Sequence, residues 1–188
     1  MLMTHLRPSL AMLAVFTLLT GLAYPLAMTG LSQSLFPAAA GGSLIETGGR
    51  VAGSELIGQV FTAPGHLHSR PSASGYNAAG TGASNVGPTS AALITAVAEQ
   101  QAAYTEENGT PGPIDAVTTS GSGLDPHISP ENAIAQAGRI AAARKLDVAQ
   151  VLDVIDQATE GRFLGIYGEV RVNVLRVNLA LDAAFPTP

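Results

Sequence analysis

The sequence predicts an α+β protein with one transmembrane helix at its N-terminal end, followed by a small α+β domain. Two observations lead to this fold class. Residues 10–31 form an uncharged, mostly apolar run, and the later chain alternates segments of helical period with short apolar stretches bounded by glycine. We expect a short N-terminus (1–9), a membrane helix (10–31), a connector (32–53) and a domain (54–188) that is large enough to bury its own core.

The apolar run has the length and flanks of a membrane helix. No charged residue lies between Arg7 and Glu46, and roughly 22 residues give about 33 Å of helix, enough to cross a bilayer. His5 and Arg7 precede the run and the next basic residue is Arg50. The positive-inside rule therefore predicts a cytoplasmic N-terminus and an extracytoplasmic domain. Residues one helical turn apart in this run are small enough to let another helix pack closely: Thr17 with Gly21, and Ala23 with Ala27.

A cleavable signal peptide is the alternative interpretation of the N-terminal run. Small residues at 38–40 would suit a processing site. The apolar run is longer than the core of an ordinary signal peptide, and the small residues lie well beyond its end. We therefore expect the helix to be retained in the mature protein.

The composition excludes several classes of function. The chain has no cysteine, so neither a disulfide framework nor a thiolate metal site is available. Its formal net charge is −5, and an acidic chain cannot replace the counterions of a nucleic acid. Nucleic acid is therefore not an expected partner.

The connector and the first part of the domain are predicted to contain two short strands and a long loop. The Gly-rich connector contains one short strand at 43–46, and the apolar run 54–61, bounded by glycines, is expected to be a second strand. Residues 62–88 are crowded with Gly, Pro, Ser and Asn and show no period. A loop of that length is either disordered or functional, and its directional polar side chains favour a docking surface.

Three helices and a strand follow. Thr89 or Ser90 caps a helix that runs to about 107, and Asn108-Gly109 ends it in left-handed geometry. Residues 115–119 are expected to form a short strand. A helix over 129–145 begins at Ser129 with proline in its first position, and another begins at Asp147 and ends at Gly161. The core-facing residues of the first of this pair are expected to be Ile134, Ala137, Ile140 and Ala141.

The C-terminal region is ambiguous in its period. Residues 163–167 and 170–174 have the alternation of strands, whereas Asn173 could also cap a last helix that carries Leu175, Leu179 and Leu181. Two helices joined by a tight turn, as at 145–147, also occur in DNA-binding units. The acidic balance and the expected location outside the cell argue against that function here.

The loop at 118–130 contains residue types of hydrolase active sites, since Asp125 and His127 lie close in sequence to Ser120 and Ser122. A nucleophile elbow needs glycine two positions before its serine, and Ser120 occupies that position. No lysine follows the glycines, so a phosphate-binding loop is not indicated either. His66 and His68 have metal-like spacing, but two histidines in a Gly-Pro loop are more often exposed polar residues. We predict no catalytic residue, no metal and no cofactor.

Four runs, in this order along the chain, carry a family resemblance. They are Gly-Gln-Val-Phe at 58–61 leading into Arg-Pro-Ser-Ala at 70–73 with Tyr76-Asn77; Ser-Asn-Val-Gly-Pro-Thr at 84–89; Ser-Gly-Ser-Gly-Leu-Asp-Pro-His-Ile-Ser-Pro at 120–130; and Arg-Val-Asn-Val-Leu at 171–175 through Leu-Ala-Leu-Asp at 179–182. Together with the apolar N-terminal segment, they resemble the C subunit of bacterial Kdp-type potassium-transporting ATPases. At His66 the chain departs from the family, which often has aromatic residues there.

The resemblance implies a non-catalytic accessory subunit in the bacterial inner membrane. Its partners would be a channel-like potassium-binding subunit, a P-type ATPase subunit, a small hydrophobic subunit and membrane lipid. The family is described as a catalytic chaperone that raises the ATP affinity of the ATPase subunit. The alternative is a stand-alone membrane-anchored periplasmic binding module with a small-ligand pocket in the 70–85 loop. The candidate interface residues are Arg70, Ser72, Tyr76, Asn77, Ser84, Asn85, Asp125 and His127.

Overall fold

The computed structural model describes residues 2–186, which divide into two compact units between Leu44 and Ile45. The first unit is helical: α1 (Leu2–Leu18), a π-helical turn (Leu19–Ala23), α2 (Tyr24–Leu35) and the short α3 (Pro37–Ala40). The span Thr4–Leu35, with a mean hydropathy of 1.9, is long and apolar enough to cross a membrane. The second unit combines helices with two small sheets, and this confirms the α+β class.

The π-helical turn has a local cause in the sequence. Pro25 has no N–H and cannot donate to the carbonyl one turn earlier, at Gly21. The Tyr24 N–H instead bonds the carbonyl of Leu19, five residues back, which is a common accommodation of proline inside a helix. The predicted helix-packing residues Thr17, Gly21, Ala23 and Ala27 lie in or beside this turn, and all four are exposed.

A β-hairpin begins the second unit. Strands β1 (Leu44–Thr47) and β2 (Arg50–Ser54) are joined by Gly48-Gly49, whose φ angles of 60° and 77° are those of a tight I′ turn. The strand predicted at 43–46 is therefore confirmed within one residue. The strand predicted at 54–61 is wrong, because the chain turns after β2 and leaves Leu56 and Val60 exposed.

Helix α4 (Ala91–Asn108) ends at Gly109 with φ 71°, as predicted. The strand predicted at 115–119 is wrong: residues Ile114–Val117 form the short helix α5. Pro113 occupies the N-cap position of this turn, and its carbonyl accepts the Ala116 N–H. The fixed φ of Pro113 suits the start of a helix, so the chain enters a helical turn here.

The main sheet is small and antiparallel. Strands β3 (His127–Ile128), β4 (Thr159–Glu160) and β5 (Arg171–Asn173) lie in the order β3-β5-β4. Val172 pairs with Ile128 on one side and with Thr159 on the other. The strand predicted at 163–167 is wrong, because Phe163 and Tyr167 pair with each other at the base of a tight loop.

Three helices pack around this sheet: α6 (Pro130–Arg144), α7 (Val148–Gln157) and α8 (Val174–Ala184). Ser129, Asp147 and Asn173 cap them through side-chain hydrogen bonds. Both C-terminal predictions are confirmed, because the strand expected at 170–174 forms over 171–173 and Asn173 at its end caps the last helix. Helix α7 ends at Gln157 rather than at Gly161, because the following residues pair with β5.

The core lies between the sheet and these helices. Ile134, predicted to face it, is 56% exposed, and Ala133 takes that place. The other core-facing residues predicted on α6 are buried. The core residues are Leu67, Ile128, Ala133, Ala137, Ile140, Ala141, Val151, Ile155, Val172, Val174, Val177 and Leu181.

Candidate functional site

The loop at 120–125 and the extended segment 58–88 form one ordered surface. The N–H of Gly58 donates to the Leu124 carbonyl at 2.7 Å, and the N–H of Ser120 donates to the Pro71 carbonyl at 3.1 Å. Farther along, the Ser122 carbonyl accepts from the N–H of Gly82 at 2.8 Å. The segment that the sequence left without secondary structure is thus fixed by backbone hydrogen bonds to a distant loop.

Two glycines allow this close approach. A Cβ on Gly58 would lie 2.5 Å from the Asp125 carbonyl oxygen, and one on Gly123 would lie 2.8 Å from the Gly82 carbonyl oxygen. Gly123 also has φ 70°, which side-chain-bearing residues rarely adopt. Any larger residue at either position would push the segment off the loop.

An ionic chain runs through Asp125. Its Oδ2 accepts a hydrogen bond from Arg70 Nη1 at 3.2 Å, and its Oδ1 accepts the His127 N–H at 3.0 Å. The His127 ring lies 3.8 Å from both Asp125 and Glu160. Burial, followed by the positive charge of Arg171, holds the pKa of His127 below its usual value. Asp125 and His127 are therefore half-buried groups that stabilise the loop.

The predicted interface residues outside this ionic chain fall into two groups. Ser72 and Tyr76 point inward: the Ser72 hydroxyl donates to the Gly123 carbonyl at 2.6 Å, and the Tyr76 hydroxyl donates to the Arg70 carbonyl. Burial raises the pKa of Tyr76. The others, Asn77, Ser84 and Asn85, are exposed.

Comparison with known proteins identifies the family. The model of KdpC, the c chain of K+-transporting ATPase, matches residues 6–183. The chain belongs to this family. It is 63% identical over 182 residues to the potassium-transporting ATPase KdpC subunit of Cereibacter sphaeroides, covering 97% of this chain and 98% of that protein. Proteins of the same name from Rhodospirillum rubrum (55% over 186 residues, 96% of both chains) and Methylobacterium nodulans (53% over 193 residues, 95% of this chain and 96% of that protein) are also similar.

In this KdpC chain the two histidines with metal-like spacing have separate partners. His66 Nε2 lies 3.0 Å from Asp182, which also accepts from Arg144 at 2.5 Å. Burial alone would raise the pKa of Asp182, but these hydrogen bonds outweigh it and lower the pKa. His68 Nδ1 lies 3.0 Å from Glu107. Within residues 2–186 no group of three or more His, Asp or Glu side chains is placed to hold a metal ion.

The sequence did not reveal the buried amides that hold the extended segment of this KdpC chain. Asn178 Oδ1 accepts the Leu67 N–H at 2.7 Å, and its Nδ2 donates to the Leu67 carbonyl at 3.0 Å. Gln136 bonds both backbone groups of His68 in the same way. The available signal was the presence of amide side chains on the core-facing side of two amphipathic helices.

A polar cavity of about 360 Å³ lies beside Gln136 and a third buried amide, Asn132. The Tyr104 hydroxyl donates to Asn132 Oδ1 at 2.9 Å at its wall, and burial followed by the charge of Asp115 raises the pKa of Tyr104 to about 12. Asn132 and Gln136 are each 1% exposed. The lining residues include Pro71, Ser72, Tyr76, Tyr104, Asn132 and Gln136.

Proposed function

We propose that this KdpC subunit is a non-catalytic accessory subunit that stabilises the ATP-driven potassium uptake complex. In this proposal it joins the channel-like potassium-binding subunit to the P-type ATPase subunit, with the small hydrophobic subunit beside its membrane helix. The observation that carries the proposal is the family match over residues 6–183, which includes both the apolar helix and the domain.

A structural role for the loop residues supports the absence of an active site. The Ser122 hydroxyl accepts the Leu124 N–H at 3.0 Å, and both carboxylate oxygens of Asp125 already accept hydrogen bonds. A catalytic serine would need a base within hydrogen-bond reach of its hydroxyl. The contacts of Ser122 and Asp125 fit a loop built for shape rather than for nucleophilic attack.

The exposed face of the ordered segment is the proposed contact surface. Asn77, Ser84 and Asn85 present amide and hydroxyl groups to solvent. Behind them, Arg70 bonds Asp125 of the loop, and the Tyr76 hydroxyl bonds the Arg70 carbonyl within the segment. A rigid surface loses less conformational entropy on association than a flexible one, which favours assembly.

The proposed orientation places the N-terminus in the cytoplasm and the domain in the periplasm. It is supported by the positive-inside bias of His5 and Arg7. ATP binds on the cytoplasmic side, so the increase in ATP affinity would be indirect. We propose that it acts through the membrane helix and through the relative positions of the two large subunits. The free energy of those positions differs between the two states of the pump.

Electrostatic attraction of potassium is a further proposed contribution. All 14 acidic residues and eight of the nine basic residues lie in residues 45–188. A negative domain raises the local concentration of cations and their association rate at low ionic strength. Replacing exposed acids such as Glu99 and Glu106 by glutamine should lower the potassium association rate at low salt, and unchanged rates would contradict this contribution.

Purification from native membranes tests the assembly role. A tag on the C-terminus of the full chain should recover the ATPase subunit and the channel-like subunit together. The KM for ATP of the complex should then rise when this subunit is omitted. Protease treatment of intact cells and of inverted vesicles should cut the domain only from the outer face. Recovery of the chain without an ATPase subunit would refute the proposal.

The second candidate is a membrane-anchored binding module, favoured by the cavity beside Tyr76 and Tyr104. Such a module would be purified in detergent as a single species without other subunits. Binding of a small polar ligand would raise its thermal stability. Enlarging Ser72 to leucine should abolish that gain. In the accessory-subunit proposal, the chain instead leaves the membrane together with its partners.

A further inference from the structure

The loop between β4 and β5 exposes a cluster of large apolar side chains. All ten residues of 161–170 are exposed. Four large apolar side chains lie within five consecutive positions, and each is at least 67% exposed. Contiguous exposed apolar patches of this kind mark interaction sites. The four are Phe163 (72% exposed), Leu164 (75%), Ile166 (73%) and Tyr167 (67%).

The loop holds one defined shape. The Phe163 N–H donates to the Tyr167 carbonyl at 2.8 Å, and the Tyr167 N–H donates back to the Phe163 carbonyl at 3.0 Å. Below this pair, Arg162 and Glu169 form an ion pair at 2.6 Å. Leu164 has φ 53°, a left-handed conformation that an ordinary residue adopts only when its surroundings require it.

This combination fits a protein pocket better than a lipid surface. A lipid surface would accept apolar side chains in any arrangement. A leucine that a closed backbone pair holds in a strained conformation instead fits a partner whose pocket matches one shape of the loop. The residues between Arg162 and Glu169 carry no charge, and those two charges are paired with each other. The apolar tip can therefore be buried without leaving an unpaired charge, as the centre of a protein interface requires.

We propose that the 161–170 loop inserts its apolar tip into a hydrophobic pocket on another subunit of the potassium-transporting ATPase. This inference rests on the assembly role proposed above and names the part of the domain that anchors it. Large apolar and aromatic anchors in desolvated pockets carry most of the energy of an interface. The loop is then the main anchor of the domain.

Two substitutions test the anchor in the assembled full-length complex. Leu164→Asn suits the left-handed backbone, because asparagine tolerates positive φ, and Ile166→Asn changes the other aliphatic side chain. Each should speed dissociation of the subunit from the detergent-solubilised complex by about tenfold or more. Ile114→Asn is the matched control, since Ile114 is 80% exposed outside the loop. Unchanged thermal unfolding of the variants shows that the domain remains folded.

The chain has no cysteine, so a single Ile166→Cys can carry a maleimide photo-crosslinker at the tip. Irradiation of the complex should join this position to another ATPase subunit. Adducts only with lipid, or with a second copy of this chain, would overturn the proposal. If the wild-type chain brings its partners but both asparagine variants dissociate like the control, this inference alone fails. If the wild-type chain brings no partner, the assembly role fails with it.

Discussion

Replacing Asn178 by alanine should destabilise the domain more than any exposed polar substitution. Asn178 is 1% exposed, and its amide satisfies both the N–H and the carbonyl of Leu67, which is itself 0% exposed. Alanine would leave two buried backbone groups without partners, at about 1–3 kcal/mol each. The expected loss in the free energy of unfolding is therefore about 2–6 kcal/mol, less a few tenths for the better helix propensity of alanine.

For a domain of this size, that loss corresponds to a fall in Tm of about 6–18 °C. The measurement is thermal unfolding of the full chain in detergent, followed by far-UV circular dichroism because the chain has no tryptophan. The apolar N-terminal helix should keep its signal in detergent, so the transition reports on the domain. The transition should remain a single cooperative step in both proteins.

Asn77→Ala is the matched control. Asn77 is exposed, and its side chain accepts only the Ala79 N–H at 3.0 Å. Its loss should change the free energy of unfolding by no more than about 0.5 kcal/mol. If Asn178→Ala also stays within about 0.5 kcal/mol of the wild type, the buried amide does not hold Leu67 and the reasoning is refuted.

Three further predictions follow from the loop. Gly58→Ala should lower Tm by several degrees because its Cβ would meet the Asp125 carbonyl, whereas Gly121→Ala, with open space around it, should leave Tm nearly unchanged. The pKa of His127 is lower in the folded state, so the unfolded chain binds more protons below about pH 6.5. Denaturant titrations should show the free energy of unfolding falling from pH 7 to pH 5, with a shallower fall in His127→Gln. Ser122→Ala should leave the ATPase turnover of the complex within about twofold, and a hundredfold loss would indicate a catalytic serine.

Local chemistry predicted the helix ends well. Ser129 followed by proline marked the start of α6, Gly109 marked the end of α4, and Asn173 capped α8 once the ambiguity was resolved. Each of these signals depends only on neighbours in the chain, because a cap bonds backbone groups one turn away. The family resemblance, which rested on four separated runs, also predicted the family that the comparisons identify.

Apolar content alone misjudged two strands. The 54–61 run and the 163–167 run are apolar, yet Leu56, Val60 and Ile166 are exposed. The apolar residues of the later run form a projecting loop instead. Whether an apolar run pairs as a strand depends on a distant partner edge, and local composition does not contain that partner.

The site was predicted less completely, for the same reason. The sequence marked Ser72 and Tyr76 as surface contacts, but both point inward. Ser72 bonds the Gly123 carbonyl of the loop, whereas Tyr76 bonds the Arg70 carbonyl within its own segment. Buried amides such as Asn178 look like ordinary polar helix residues until the segment that they bind is known. The burial of a polar side chain is a tertiary property, because it is tolerated only where its partners are in place.

The small sheet explains why side chains take over the role of strands in this domain. Residues 64–68 run along the core with only Leu67 buried in it and have no adjacent strand, so their backbone groups need partners from elsewhere. Asn178, Gln136 and Arg139 supply them, the last by donating to the carbonyls of Pro64 and His66 at 2.6 and 3.0 Å. The extended segment is therefore as fixed as a strand while its outer edge stays uncovered. Loosening an inner amide should then weaken assembly as well as stability, because the proposed contact surface would have to be ordered again on binding.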